Sequence, residues 1–255
     1  MPDDLTRLAP LCALSTKCYR LAHSHANGYE LIEAMQGSNM AGEPDAVVDY
    51  IIAQIDAGDA LPGRAIDEKE MMQVCGVSQT QVHDALIRLE ADGLVQRDPR
   101  KGAVIFQPTV AEFLTILEVH ANLESFAAGL AAQRITDTLK AELLSVVGAC
   151  GTHAAEYGNT DPAGYYQLNT RFHETIAQAA RNDLLMQMIK TNARKLTAYY
   201  RMRYRHPGAS QSSAKDHVAI ADLIIGSKPE AAAAAMQEHF NYDRETVMDL
   251  IASAD

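Results

Sequence analysis

The spacing of apolar residues changes between Ala46 and Phe106, and this change constrains the fold more than any other feature. The spacing first predicts three helices, at 46–57, 67–75 and 78–92. It then predicts two short strands, at 94–97 and 103–106, joined by a tight turn. Three helices and a hairpin within about 60 residues are typical of a winged helix-turn-helix, whose second paired helix enters the major groove of DNA.

The rest of the chain shows only helical spacing, beginning at Val110. Breaks near 136, 158–162, 181–183, 206–208 and 226–229 predict about six helices of ordinary length. The predicted fold is therefore mainly α, with a winged domain at 44–108 and a helical bundle at 109–255. The sequence assigns no function to the N-terminal extension, 1–43.

Charge and hydropathy exclude several classes of protein. The net charge of −11 argues against nonspecific coating of nucleic acid and against binding to an anionic membrane surface. No apolar run is long enough to span a bilayer, and the first residues, Met1 to Asp4, are acidic where a secretory signal would be basic. We expect a cytoplasmic protein.

The cysteines do not form a spaced pair. Cys12, Cys18, Cys75 and Cys150 are scattered, without the C-x-x-C spacing of thiolate metal sites or a disulfide framework. We expect all of them to be reduced and mainly to fill space.

Several short motifs carry a family resemblance. Leu61-Pro62-Gly63, Gly76-Val77-Ser78, Asp92-Gly93-Leu94-Val95 and Arg100-Lys101-Gly102 look like the N-terminal domain of the GntR family of transcription regulators. The resemblance implies that helix 78–92 reads DNA. The candidate base readers are Ser78, Gln79, Thr80, Gln81 and His83. The candidate phosphate contacts are Lys69, Arg100 and Lys101.

Two departures from the family pattern affect this prediction. Gln79 and His83 occupy positions where the family usually has arginine, and acidic residues outnumber basic ones in the domain. We therefore expect DNA binding that is weaker and strongly salt-sensitive, or an unusual operator. The alternative is a co-regulator that uses the winged domain to bind protein instead of DNA.

The second domain resembles the ligand-sensing FCD domain of the FadR-like branch of the same family. The matching motifs are Asn169-x-x-Phe172-His173, Ala180-x-Asn182-x-x-Leu185, His217-x-x-Ile220 and Glu238-His239. His217 and His239 would lie about 33 Å apart on one straight helix. The break at 226–229 allows a helical hairpin that brings them level, since His217 lies nine residues before position 226 and His239 nine residues after position 230.

The resemblance implies a divalent metal bound by Asn169, His173, His217 and His239, with zinc expected and nickel as the alternative. Asn169 and His173 are four residues apart and share a helix face. The family usually has aspartate at the position of Asn169. The absence of this carboxylate removes one negative charge from the ligands, so we expect weaker metal binding and a stronger preference for an anionic ligand.

A metal with free coordination positions suits a small carboxylate effector. The family commonly places an arginine for this acid at the position held here by His120, and Asn192 is a second candidate effector contact. Arg201, Arg203 and Arg205 alternate with tyrosines near a helix end, where we expect them to be solvated.

These observations predict a transcription regulator that acts as a homodimer on a palindromic operator under the control of a small carboxylate. The alternative from another class is a metal-dependent hydrolase or lyase. Glu174 and Glu238 adjoin two of the histidines, but neighbours on a helix point about 100° apart. We therefore expect no catalytic base at the metal and no enzymatic activity.

Overall fold

The computed structural model describes residues 45–241, and the predicted extension 1–43 lies outside them. The chain divides into two compact units after Phe106. The first unit contains helices α1 (Ala46–Ala57), α2 (Glu68–Cys75) and α3 (Gln79–Ala91) and strands β1 (Val95–Asp98) and β2 (Gly102–Ile105). The predicted winged helix-turn-helix is confirmed.

Local capping defines the helices of the first unit. The side chain of Asp67 accepts hydrogen bonds from the backbone amides of Lys69 and Glu70, which satisfies donors at the start of α2. Gly76 ends α2 in the left-handed conformation, with a φ of 66° that glycine adopts without strain. The chain then turns directly into α3, as the predicted helix-turn-helix requires.

The hairpin is antiparallel and begins one residue later on β1 than predicted. Val95 pairs with Ile105 and Asp98 pairs with Gly102, so the turn contains Pro99, Arg100 and Lys101. The carboxylate of Asp98 accepts the backbone amides of Arg100 and Lys101 at 2.7 and 2.9 Å. These bonds lower the pKa of Asp98 and fix the turn that carries both cations.

The second unit is entirely helical within the described residues. Its helices are α4 (Val110–Arg134), α5 (Asp137–Tyr157), α6 (Pro162–Ala179), α7 (Asp183–Lys195), α8 (Thr197–Arg203), α9 (Ala209–Ile225) and α10 (Pro229–His239). The sequence predicted about six helices because no glycine or proline marks the boundary between α7 and α8. The backbone departs from helical geometry there at Leu196, a buried core residue.

Helix α4 is the centre of this unit, in contact with α6, α7, α9 and α10. It meets α10 through small residues, including the fully buried Ala128 and Ala232. Ser125 on α4 donates a hydrogen bond to the carbonyl of Ala233 on α10 at 2.8 Å. The small side chains allow the two backbones to approach closely, which holds His239, at the end of α10, against α4.

Two of the predicted packing cysteines lie within the described residues. Cys75 and Cys150 are buried free cysteines, and burial raises the pKa of their thiols to about 11 and about 12, respectively. Cys12 and Cys18 lie outside the described residues. None of the helices in 45–241 is both long and apolar enough to cross a membrane.

The contact between α4 and α10 yields a stability prediction. Ala232→Leu adds bulk at a position with no exposed surface and should lower the free energy of unfolding by about 1–3 kcal/mol. Ala234→Leu, on the exposed side of the same helix, is the matched control and should change it by less than about 0.5 kcal/mol. Urea unfolding followed by circular dichroism measures both; equal effects would contradict this packing.

Candidate functional site

The recognition helix α3 begins with a capping box. The Ser78 hydroxyl accepts the Gln81 backbone amide at 3.4 Å, and the Gln81 side-chain oxygen accepts the Ser78 backbone amide at 3.0 Å. The Ser78 hydroxyl also donates to that oxygen at 2.8 Å. Both candidate readers therefore hold the start of the helix, which limits what either can offer to a base.

The remaining predicted readers, Gln79, Thr80 and His83, are exposed near the start of α3. Gln79 can bond adenine through two hydrogen bonds, and threonine can contact either a base or a phosphate. Each lies on the part of the helix that a winged domain presents to a major groove.

The cations of the first unit fall into two groups. Arg88 pairs with Asp45, Arg97 lies 3.3 Å from Glu90, and Arg64 donates to the carbonyl of Asp59. In contrast, the predicted phosphate contacts Lys69, Arg100 and Lys101 are exposed. None of these three has an ion pair within residues 45–241, so their charges are available to a phosphate backbone.

Three histidines come together inside the second unit. His173 is on α6, His217 on α9 and His239 at the end of α10, and all three are buried. One nitrogen from each ring lies within 4.8 Å of the corresponding nitrogens of the other two. The helical hairpin predicted around 226–229 thus brings His217 and His239 level, with ring centroids 5.0 Å apart.

Two carboxylates contact histidines of this triad. Asp216 Oδ2 is 3.1 Å from His239 Nδ1, in hydrogen-bond geometry. Glu124 Oε2, on α4, is 3.3 Å from His173 Nδ1, although the angles of this contact fall outside hydrogen-bond geometry. A carboxylate on one ring nitrogen directs the other nitrogen toward a metal and fixes the tautomer.

His217 is held differently. Its ring stacks on Phe172, with centroids 3.7 Å apart and planes 14° from parallel. Its Nε2 lies 3.3 Å from the hydroxyl of Ser213, and its Nδ1 is buried without a hydrogen-bond partner in the described part of the chain. A buried nitrogen without a partner is costly unless an ion, water or ligand satisfies it.

The burial of His217 and His239 keeps both rings available as ligands. Burial lowers the pKa of His217 well below its usual value and lowers that of His239 to about 4. Burial acts to raise the pKa of Glu124, but its contacts with His173, His120 and His239 outweigh this effect and lower it. Neutral imidazoles beside an ionised carboxylate form a donor set that suits a divalent transition metal.

Asn169, the fourth predicted ligand, is buried on α6 one turn before His173. Its side-chain oxygen accepts a 2.8 Å hydrogen bond from the hydroxyl of Tyr204, which also lies 3.2 Å from Ser213. The oxygen retains a second lone pair. Its role as a ligand stays a prediction.

His120, a predicted effector contact, lies on α4 with its Nε2 3.6 Å from Glu124. Burial lowers the pKa of His120 to about 4, so the ring is neutral at pH 7. Asn192 is half-buried on α7. Met188, one turn earlier on the same helix, is 44% exposed, so this side of α7 turns partly away from the core.

Sequence reasoning missed three residues of this region. The expectation that no carboxylate base is placed at the metal considered only Glu174 and Glu238, and Glu174 pairs with Lys190. Glu124 and Asp216 supply the carboxylates. The sequence contained a signal for each of these carboxylates, since Glu124 follows His120 by four residues and Asp216 directly precedes His217. Arg203, expected to be solvated, is half-buried at the end of α8.

Comparison with known proteins agrees with both units. The profile of "Bacterial regulatory proteins, gntR family" matches residues 44–105, and the FCD domain profile matches residues 115–242. The chain is 26% identical to the HTH-type transcriptional regulator YdhC of Bacillus subtilis, over 74% of this chain and 83% of that protein. It is 36% identical to an HTH-type transcriptional regulator from Agrobacterium vitis, over 47% of this chain and 70% of that protein.

Solved structures share the fold. McbR/YncC of E. coli superposes with a TM-score of 0.65 at 18% identity, covering 83% of this chain and 98% of that one. A GntR regulator from Rhodococcus sp. RHA1 gives a TM-score of 0.62 at 17% identity, covering 82% and 98%. The relatives are transcriptional regulators, which decides against the hydrolase or lyase alternative. The chain belongs to the GntR family of bacterial transcriptional regulators and carries an FCD domain.

Proposed function

We propose that this regulator binds an operator through its winged domain and that a small carboxylate, bound at a metal in the FCD domain, controls this binding. The observation that carries the proposal is the convergence of His173, His217 and His239 from three helices, with a buried His217 nitrogen that has no partner within residues 45–241. An evolved core rarely leaves such a group without a ligand.

The metal we propose is zinc, with nickel as the alternative. Three imidazoles are a common donor set for zinc, and Asn169 is the proposed fourth ligand. When bound, the ion would supply open positions for a carboxylate oxygen. Glu124 and Asp216 would orient His173 and His239, while Phe172 holds the ring of His217 in place.

Control of DNA binding follows from thermodynamic linkage. If the carboxylate binds one conformation of the FCD domain more tightly, it shifts the population toward that conformation and so changes the affinity for the operator. The operator must then change the affinity for the carboxylate by the same factor. We propose that the protein acts as a homodimer on a palindromic operator, because a two-fold dimer presents two recognition helices to two related half-sites.

The metal site is tested by elemental analysis of tag-free protein. We expect close to one ion per chain in the wild type, and its loss in His173→Ala and in His217→Ala, because each change removes a donor from the set. His153→Ala is the control, since His153 pairs with Asp161 and is not part of the triad. A wild-type protein without metal would contradict the proposal.

Asn169 provides a second test of the metal site. Asn169→Asp adds a negative charge without changing the size of the side chain, and Tyr204 can donate to it as before. We expect zinc to bind on the order of tenfold more tightly, because an added ligand charge strengthens cation binding. Competition with a chromophoric chelator measures this change, and an unchanged affinity would show that Asn169 is not a ligand.

DNA recognition is tested by a binding screen with fragments of the protein's own genome, followed by salt titration. Gln79→Ala should reduce the preference for the selected site by about 1–3 kcal/mol. Arg100→Ala and Lys101→Ala should weaken binding to all DNA sequences alike. Each should also reduce the slope of log affinity against log salt concentration by about one. Lys228→Ala, an exposed change in the FCD domain, is the control. Failure to bind any fragment at low salt would favour the co-regulator alternative.

A further inference from the structure

We infer that the hydroxyls of Tyr204 and Ser213 form a relay that places the proton of His217 on Nε2 and leaves Nδ1 as its metal donor. This inference rests on the proposed metal site, for which it names a ligand atom and two positioning residues. It also makes Asn169, at the other end of the relay, the group that decides the direction of the hydrogen bonds.

The relay is a continuous series of short polar contacts through the core. The Tyr204 hydroxyl donates to Asn169 Oδ1 at 2.8 Å and lies 3.2 Å from Ser213 Oγ. Ser213 Oγ in turn lies 3.3 Å from His217 Nε2. Asn169, the most exposed of the four residues, is only 3% exposed, so water does not easily replace any of these partners. A break in the series would leave a buried polar atom unsatisfied, which is costly.

The direction of every bond in the relay follows from the first one. An amide oxygen carries no hydrogen, so the bond to Asn169 uses the single hydroxyl proton of Tyr204. The contact between the two hydroxyls must then use the proton of Ser213. With that proton committed, Ser213 can only accept from His217, so Nε2 is the nitrogen that carries a hydrogen. A neutral imidazole has one such nitrogen, and Nδ1 therefore holds the lone pair.

The surroundings of His217 agree with this tautomer. Its Nδ1 is buried and has no hydrogen-bond partner within residues 45–241. A lone pair at that position can bind a cation, whereas an N–H group there would need an acceptor that the described residues do not supply. Stacking on Phe172 holds the plane of the ring and so keeps Nε2 beside Ser213.

The other two histidines of the triad are oriented through the opposite nitrogen. Nδ1 of His239 lies 3.1 Å from Asp216, and Nδ1 of His173 lies 3.3 Å from Glu124. An ionised carboxylate accepts but cannot donate, so both contacts favour a proton on Nδ1 and a lone pair on Nε2. The triad thus offers Nε2 from two rings and Nδ1 from the third, because a hydroxyl takes the place of the carboxylate at His217.

Nuclear magnetic resonance of full-length protein labelled with ¹⁵N in its histidines tests the tautomer directly. The ring nitrogen shifts distinguish a protonated from an unprotonated nitrogen, and His217→Gln identifies the signals of His217. We expect its proton on Nε2, both in protein freed of metal with a chelator and after zinc is added. Ser213→Ala removes the acceptor at Nε2 and should raise the population that carries the proton on Nδ1.

Zinc affinity is the second readout, measured by competition with a chromophoric chelator. Ser213→Ala should weaken zinc binding by about 10- to 100-fold, the usual cost of removing a group that orients a ligand. Tyr204→Phe frees the Ser213 proton for Nε2 and should act in the same direction. Ser213→Thr keeps the hydroxyl and should retain the wild-type tautomer. Ser212→Ala is the matched control, because Ser212 is exposed on the same helix.

The melting temperature of each variant shows whether its fold is intact, and the wild-type tautomer needs no variant of the relay. Zinc uptake by a wild type whose His217 carries its proton on Nδ1 overturns this inference alone. A folded Ser213→Ala protein with the tautomer and the zinc affinity of the wild type overturns it as well. A wild type that takes up no zinc overturns the proposed metal site and the inference with it.

Discussion

The close contact between α4 and α10 is the constraint on which the candidate site depends. Small residues such as Ala128 and Ala232 let the two helices approach, and the hydrogen bond from Ser125 to Ala233 fixes their relative position. Because His239 ends α10 and Glu124 lies on α4, this contact brings a ligand candidate and a buried carboxylate into one region. A wider interhelical spacing would separate the triad from the charge that orients it.

The same region combines groups that a hydrophobic core would normally exclude. Glu124 is 1% exposed, and its carboxylate is paired with His120 and His173, neither of which carries a permanent charge. Such an arrangement costs stability without a cation, because a buried charge needs a partner. The buried nitrogen of His217, which has no partner in the described part of the chain, adds to this cost. Function therefore accounts for these residues better than stability does.

Much of this architecture could be predicted from local patterns, because caps, glycines and apolar spacing act over a few residues. Ser78 and Asp67 marked the starts of α3 and α2, and the equal distances of His217 and His239 from one turn predicted their meeting. The burial of Arg203 could not be predicted this way. Its helix, α8, is separated from α7 by a break at Leu196, which no glycine or proline marks in the sequence.

The pairing of arginines in the winged domain has a consequence for how the protein searches a chromosome. Arg88 and Arg97 are held by acidic neighbours, and the chain as a whole is strongly acidic. Random DNA offers only its phosphates, so a protein with few available cations stays on it briefly. Short visits leave a larger fraction of the molecules unbound, and discrimination then depends on the few side chains that reach the bases.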